Sequence, residues 1–149
     1  MDIDGTLTDG GFYQDGAEGE YKRFHVHDGY GIAALIKSGV EVAFISGRHS
    51  PATDRRAREL GVTRVVNGTD NKISELVAMA RELEIDASEI AFIGDDIPDL
   101  ACIEWAGIGM AVADAMQEVL ETADWTSTRC GGQGAVREAA EHILMLNAL

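Results

Sequence analysis

The sequence predicts an α/β fold: a parallel sheet with helices on both faces. Three observations support this. Short, continuously apolar runs alternate with amphipathic stretches of about ten residues or more. Several apolar runs end in small polar tips, "ISGR" and "IGDD". The two prolines, Pro51 and Pro98, each stand where a helix begins. Such a sheet is Rossmann-like, and its ligands bind outside the carboxyl ends of the strands.

In chain order, "GYGIAALIKSG" has Ile32, Leu35 and Ile36 at helical spacing, with Gly39 as the stop. "VEVAFISG" is a buried strand. "SPATDRRARELG" is a helix with Ser50 at its cap. "TRVVNG" is a short strand and "DNKISELVAMARELEI" a long amphipathic helix. "EIAFIGDD" repeats the strand with a polar tip. After it come helix "IPDLACIEWAG", strand "IGMAV", helix "DAMQEVLETA", strand "DWTST" and the final helix "GAVREAAEHILML". Residues 6–28 break the alternation. Gly11 to Gln14 and Glu20 to His27 are strand-like runs around a turn containing Asp15, Gly16 and Gly19, which predicts a β-hairpin above the strand ends. His25 and His27 flank Val26 on that second run and would share a strand face.

A chain of 149 residues with 46% apolar content suits one domain spanning 1–149. No stretch approaches the ~18 apolar residues of a membrane span, and the N-terminus lacks a secretory pattern. Isolated Cys102 and Cys130 lack metal-ligand spacing and fit reduced thiols, so the expected location is cytoplasmic. A formal net charge of −14 argues against nucleic acid. A small anionic substrate requires a metal or placed basic residues to reverse the field locally.

Chemistry concentrates at the tips. In "MDIDGT", Asp2 and Asp4 stand two apart, so on an extended strand both carboxylates share a face. One can act as nucleophile toward phosphorus and the other as general acid and base, although Asp-Gly is also an ordinary turn pair. Gly5 permits a sharp turn, and Thr6 can hydrogen-bond nearby. Ser46 and Gly47 offer a hydroxyl and a backbone N–H to a phosphoryl oxygen, and Arg48 a planar donor fork. Lys72 stands in the first turn of a helix, the wrong end for the macrodipole. Either it is solvated or it balances the aspartates. "GDDIPD" gathers Asp95, Asp96 and Asp99 after an apolar strand, oxygen ligands suited to Mg²⁺.

Taken in this order, Asp-x-Asp-Gly-Thr, a strand-end serine, a lysine and Gly-Asp-Asp-x-x-Asp resemble the four motifs of the haloacid dehalogenase-like phosphatases. The resemblance implies Asp2 as nucleophile forming an aspartyl-phosphate and Asp4 as general acid and base. It implies Ser46 on the phosphoryl group and Lys72 balancing charge. Mg²⁺ would be held by Asp2, the Asp4 carbonyl and Asp95, with Asp96 and Asp99 orienting that shell. The runs "LTDG", "KRFHVHDGYGI", "ISGRHS", "NGTDNK", "AVADA" and "GGQGAVRE" extend the likeness to a capless branch, the 3-deoxy-D-manno-octulosonate 8-phosphate phosphatases of lipopolysaccharide sugar biosynthesis. In that branch the hairpin builds a homotetramer whose subunits close one another's sites. The implied substrate is a sugar-acid phosphate, with Thr6, Gly47 and Arg48 on the substrate side and Arg137 reaching a neighbour's site.

Three departures stand out. Position 6 is threonine where the branch often has valine or isoleucine, and "NGTDNK" replaces a glutamine-containing turn. Both leave room for a 2-keto-3-deoxynononate 9-phosphate phosphatase. Only Met1 precedes Asp2, so the expectation is that an apolar strand is missing upstream, which would deprive neighbouring strands of backbone partners. A phospho-aspartate signalling module uses similar ingredients but has its acidic pair early and its phosphorylated aspartate later. A catalytically silent oligomeric scaffold is the other alternative.

Overall fold

The computed structural model describes residues 1–17 and 19–148. A two-stranded hairpin, β1 (Tyr13–Gln14) and β2 (Glu20–Tyr21), is followed by α1 (Val26–Lys37), β3 (Ala43–Ser46), α2 (Pro51–Leu60) and β4 (Arg64–Asn67). Then come α3 (Lys72–Leu83), β5 (Ala91–Gly94), α4 (Leu100–Trp105), β6 (Ile108–Ala111), α5 (Gln117–Thr122), β7 (Trp125–Thr126) and α6 (Ala135–Leu146). β3 pairs with β4, and β5 with β6 and then β7, all parallel.

The alternation of strand residues explains the two-sided cover. Phe44 and Ile93 face a core that includes Ile32 and Leu35 of α1 and Val136 of α6. Their neighbours Ile45 and Phe92 face a second core with Leu76 of α3, Ile103 of α4 and Val119 of α5. Strands apolar on both faces are what a parallel sheet between helix layers requires.

The hairpin is shorter than its composition suggested. Tyr13 pairs with Tyr21 and Gln14 with Glu20. The second run ends as a strand at Tyr21 because His25 caps α1: its Nδ1 accepts the His27 N–H at 3.2 Å. His25 and His27 therefore do not share a strand face. They open a helix with their rings edge to face, centroids 4.9 Å apart.

Met1 and Asp2 lie between the two parallel sheets. The Met1 ammonium donates to the Ala43 carbonyl at 2.9 Å, and the Ile45 N–H donates to the Met1 carbonyl at 3.0 Å. On the other side the Asp2 N–H donates to the Ile93 carbonyl at 3.0 Å. A cavity of about 480 Å³ is lined by Met1, Leu35, Val42, Phe92, Met110 and Val136 among others.

Candidate active site

After Asp2 the chain folds back at once. The N–H groups of Thr6, Leu7 and Thr8 all donate to the Ile3 carbonyl, at 3.3, 2.9 and 3.0 Å. Gly5 has φ +92°, and a Cβ there would occupy the space of the Asp95 carboxylate. The turn brings Thr6, fully buried, under Asp95, and its hydroxyl donates to Asp95 Oδ1 at 3.1 Å. Thr6 thus spends its hydroxyl on orienting a carboxylate, which leaves it poorly placed for substrate.

A short 3-10 turn at Ile97–Asp99 returns Asp99 toward the end of β5. Asp99 is buried, and its Oδ2 accepts the N–H groups of Asp95 and Asp96 at 3.0 and 3.3 Å. Lys72, the first residue of α3, donates to Asp2 Oδ1 at 2.6 Å and to Asp99 Oδ1 at 2.7 Å. The lysine is buried at 8% exposure, so its place in a helix's first turn is balanced by two carboxylates rather than by water. Asp96 stays outside this group. It is exposed and caps the 3-10 turn by accepting the Ile97 N–H at 2.7 Å.

The cluster carries too much negative charge for its burial. Burial and then Asp99 push Asp2 up to about 6, with Lys72 opposing. Burial and then Asp2 push Asp95 up to about 8. Burial works against the Lys72 charge, yet Asp2 and Asp99 overcome it and hold the ammonium above the ordinary lysine range. Oxygens of Asp2, Asp95 and Asp99 lie within 4.8 Å of one another. Both Asp99 oxygens already have donors, whereas Asp2 and Asp95 have capacity left. Two unsaturated carboxylates that repel each other at a strand end fit a hard divalent cation.

Ser46 ends β3. Its hydroxyl donates to the Arg48 carbonyl at 2.9 Å and accepts the Arg48 N–H at 3.3 Å. Gly47 lies beside the Lys72 stem, 3.7 Å from where a Cβ would stand. The hairpin closes the other side. Lys22 pairs with the Asp4 carboxylate, and Glu20 pairs with Arg48, whose guanidinium lies 3.8 Å from the Phe12 ring centroid. Sequence reasoning missed Lys22 and Glu20. Their two-residue spacing in "EYK", on a strand expected above the site, is the signal that places both on one face.

Within this chain Arg137 is not brought to the site. Its guanidinium donates to Glu141 at 2.6 Å and lies 4.6 Å from the Tyr30 ring centroid. Its backbone N–H instead meets buried Asp28 at 2.8 Å, where Gly134 donates as well, at 3.3 Å. The preceding glycine loop packs against the Asp2–Thr8 turn. Gly132 donates to the Thr6 carbonyl at 3.1 Å, and a Cβ at Gly131 would collide with the Gly5 carbonyl.

A family model described as haloacid dehalogenase-like hydrolase matches residues 62–138. The KdsC 3-deoxy-D-manno-octulosonate 8-phosphate phosphatase of Escherichia coli K12 is 37% identical over 97% of this chain and 77% of its own length. The chain belongs to the haloacid dehalogenase-like hydrolases. Solved haloacid dehalogenase-like structures superimpose closely. The 3-deoxy-D-manno-octulosonate 8-phosphate phosphatase of Moraxella catarrhalis, in complex with magnesium, phosphate and KDO, is 43% identical with a TM-score of 0.95. That match covers 97% of this chain and 83% of the other. The cobalt-bound phosphatase of Haemophilus influenzae is 38% identical with a TM-score of 0.94, over 99% and 86%. Among the described residues of this haloacid dehalogenase-like chain, no helix is long and apolar enough to cross a membrane.

Proposed function

We propose that the chain is a Mg²⁺-dependent phosphoric monoester hydrolase acting on 3-deoxy-D-manno-octulosonate 8-phosphate. It would release 3-deoxy-D-manno-octulosonate and phosphate in lipopolysaccharide sugar biosynthesis. The observation that carries this reading is the Lys72-bridged group of Asp2 and Asp99 with Asp95 beside it, on a chain 43% identical to a phosphatase solved with magnesium, phosphate and KDO.

Asp2 attacks phosphorus in line, forming the acyl phosphate while the P–O bond to the sugar breaks. Asp4, two residues on, would act as general acid to the departing oxygen once its carboxylate has left the Lys22 ion pair and taken up a proton, and would then take a proton from the water that cleaves the acyl phosphate. Lys72 holds Asp2 oriented, and its charge offsets the incoming phosphate. Ser46 and the Gly47 N–H would receive a phosphoryl oxygen. Asp2, Asp95 and the Asp4 carbonyl would hold Mg²⁺, with Asp99 fixing the loop behind them. The cation supplies charge neutralisation for the phosphoryl oxygens.

A homotetramer in the cytoplasm is part of the same proposal. Phe12, Tyr13 and Tyr21 of the hairpin and Val26 and Tyr30 of α1 are exposed large apolar residues, which suits a subunit interface. Phosphate release across eight- and nine-carbon keto-sugar-acid phosphates, with and without chelator, tests the assignment. The expected result is a clear preference for the eight-carbon substrate, abolished by chelation. Preference for the nine-carbon substrate would reassign it, and equally feeble rates on all would overturn it.

A further inference from the structure

A glycine-rich loop, residues 130–134, lies behind the turn that carries the first two aspartates. Gly131 and Gly132 are buried, and a Cβ on Gly131 would come within 1.8 Å of the Gly5 carbonyl oxygen. Gly132 holds the next peptide, its N–H donating to the Thr6 carbonyl at 3.1 Å. A Cβ on Gly132 would stand 2.4 Å from the Asp9 nitrogen, so loop and turn meet backbone to backbone. Between the two held carbonyls stands Thr6, whose hydroxyl orients Asp95. The loop itself is seated from two sides. Asp114, which follows β6, accepts the Gly131 N–H on Oδ1 at 2.8 Å, and the Ala113 N–H donates to the Arg129 carbonyl at 2.9 Å. Arg23, at the base of the hairpin, donates to the Gly132 carbonyl at 3.1 Å. Asp114 is exposed and takes no part in the charge cluster of Asp2, Lys72, Asp95 and Asp99.

We infer that Asp114 is a positioning residue: through Gly131 and Gly132 it fixes the Gly5–Thr6 backbone, and through Thr6 it fixes Asp95. The inference rests on the Mg²⁺-dependent phosphatase reading above and adds a residue, away from the reacting atoms, that holds the site to its geometry. Without Asp114 Oδ1 the buried Gly131 N–H loses its acceptor, and a buried donor left unpaired is costly enough to draw a loop toward water. Two glycines have no side chains to hold the loop in place. Any shift therefore passes directly to the Gly5 carbonyl that Gly131 touches and to the Thr6 carbonyl bound by Gly132. Gly5 stands between Thr6 and Asp4, whose carbonyl is proposed as a Mg²⁺ ligand. Outer hydrogen-bond partners of this kind typically carry about 10–100-fold in metal affinity or activity. The part is played by an acceptor oxygen, so a carboxamide can replace the carboxylate.

Mg²⁺ titrated by calorimetry into wild type, Asp114→Ala and Asp114→Asn tests this role without turnover. Asp114→Ala should bind Mg²⁺ about tenfold more weakly, and Asp114→Asn within about twofold of wild type. In kinetics, kcat for the eight-carbon sugar-acid phosphate should fall about tenfold in Asp114→Ala and recover in Asp114→Asn, with KM within about twofold throughout. In a Thr6→Val background the further loss of Mg²⁺ affinity from Asp114→Ala should shrink to about twofold, because the relay is already cut. A lower Tm in Asp114→Ala with Mg²⁺ affinity and kcat unchanged overturns the inference, since Asp114 would then only cap the loop. An undiminished loss of about tenfold in the Thr6→Val background overturns it as well. If Asp114→Ala fails to fold, Asp114→Glu, which keeps an acceptor at the wrong reach, decides by the same titration. Absence of turnover in wild type, with the Mg²⁺ loss present in Asp114→Ala, would remove the phosphatase reading and leave the positioning role standing. No Mg²⁺ binding in wild type would overturn both.

Discussion

Asp2→Asn is expected to lower phosphate release by about 10⁴-fold or more, the scale on which removal of a nucleophile acts. The carboxamide is nearly isosteric and can still accept from Lys72, which also remains bound to Asp99 at 2.7 Å. It cannot form an acyl phosphate. Loss of one buried negative charge also relieves Asp95, whose upward shift owes most to burial and next to Asp2. The variant should therefore melt no lower than wild type in the absence of metal. Single-turnover phosphate release together with a thermal melt checks both parts. Residual activity within about tenfold of wild type would exclude Asp2 as nucleophile.

Lys72→Met is expected to cost about 3–5 kcal/mol in the metal-free protein, the penalty for stranding buried charge when one partner is removed. For a chain of this size that lowers Tm by about 10 °C or more at pH 8. The loss should shrink at pH 5. Asp2 and Asp95 have folded pKa values raised to about 6 and about 8, so both bind protons more readily folded than unfolded. Their contribution is fully present below the ordinary carboxylate range and is lost as pH rises through about 6 and then about 8. Metal-free wild type should therefore melt lower at pH 8 than at pH 5. The raised Lys72 pKa contributes stability that persists across this window, being lost only at more alkaline pH. Mg²⁺ held by these carboxylates, as proposed above, would bind their ionised form in the folded state, so its stabilising effect should grow toward pH 8. Melts at both pH values, with chelator and with Mg²⁺, provide the check. A metal-free wild type that gains stability from pH 5 to pH 8 would contradict the charge account.

Much of the fold could be read from the chain, because both-face apolar strands and amphipathic helices carry their own periodicity. Phe44–Ile45 and Phe92–Ile93 are cases where adjacent residues serve opposite cores. The start of α1 was less legible. "HVHDG" alternates like a strand, and the His25 cap that turns it into a helix depends on a side-chain bond the pattern does not report. The short 3-10 turn at Ala87–Glu89 has no apolar period at all. At the site, Lys72, Asp95 and Asp99 were legible because each begins, ends or directly follows an element at one end of the sheet, and Asp2 because it stands two residues from Asp4. Lys22 and Glu20 were not. Their partners, Asp4 and Arg48, lie 18 and 28 residues away, and the direction in which a two-residue hairpin folds sets those pairings. Arg137 is expected at a neighbour's site, and within its own chain its guanidinium pairs with Glu141 on α6.

The stretch from Met1 to Asp2 is also a seam. On one side stand β3 and β4, on the other β5 to β7, and the residue expected to perform the chemistry is the one stitched to both through its own backbone and its neighbour's. Lys72 enters from the β4 side and Asp99 from the β5 side, so their ion pair is a clasp drawn across the same seam. Cohesion of the molecule and readiness of the nucleophile are then one mechanical property. Occupancy of the site should be felt as slower amide exchange at Asp2 and Ile45, deep in the sheet and away from solvent.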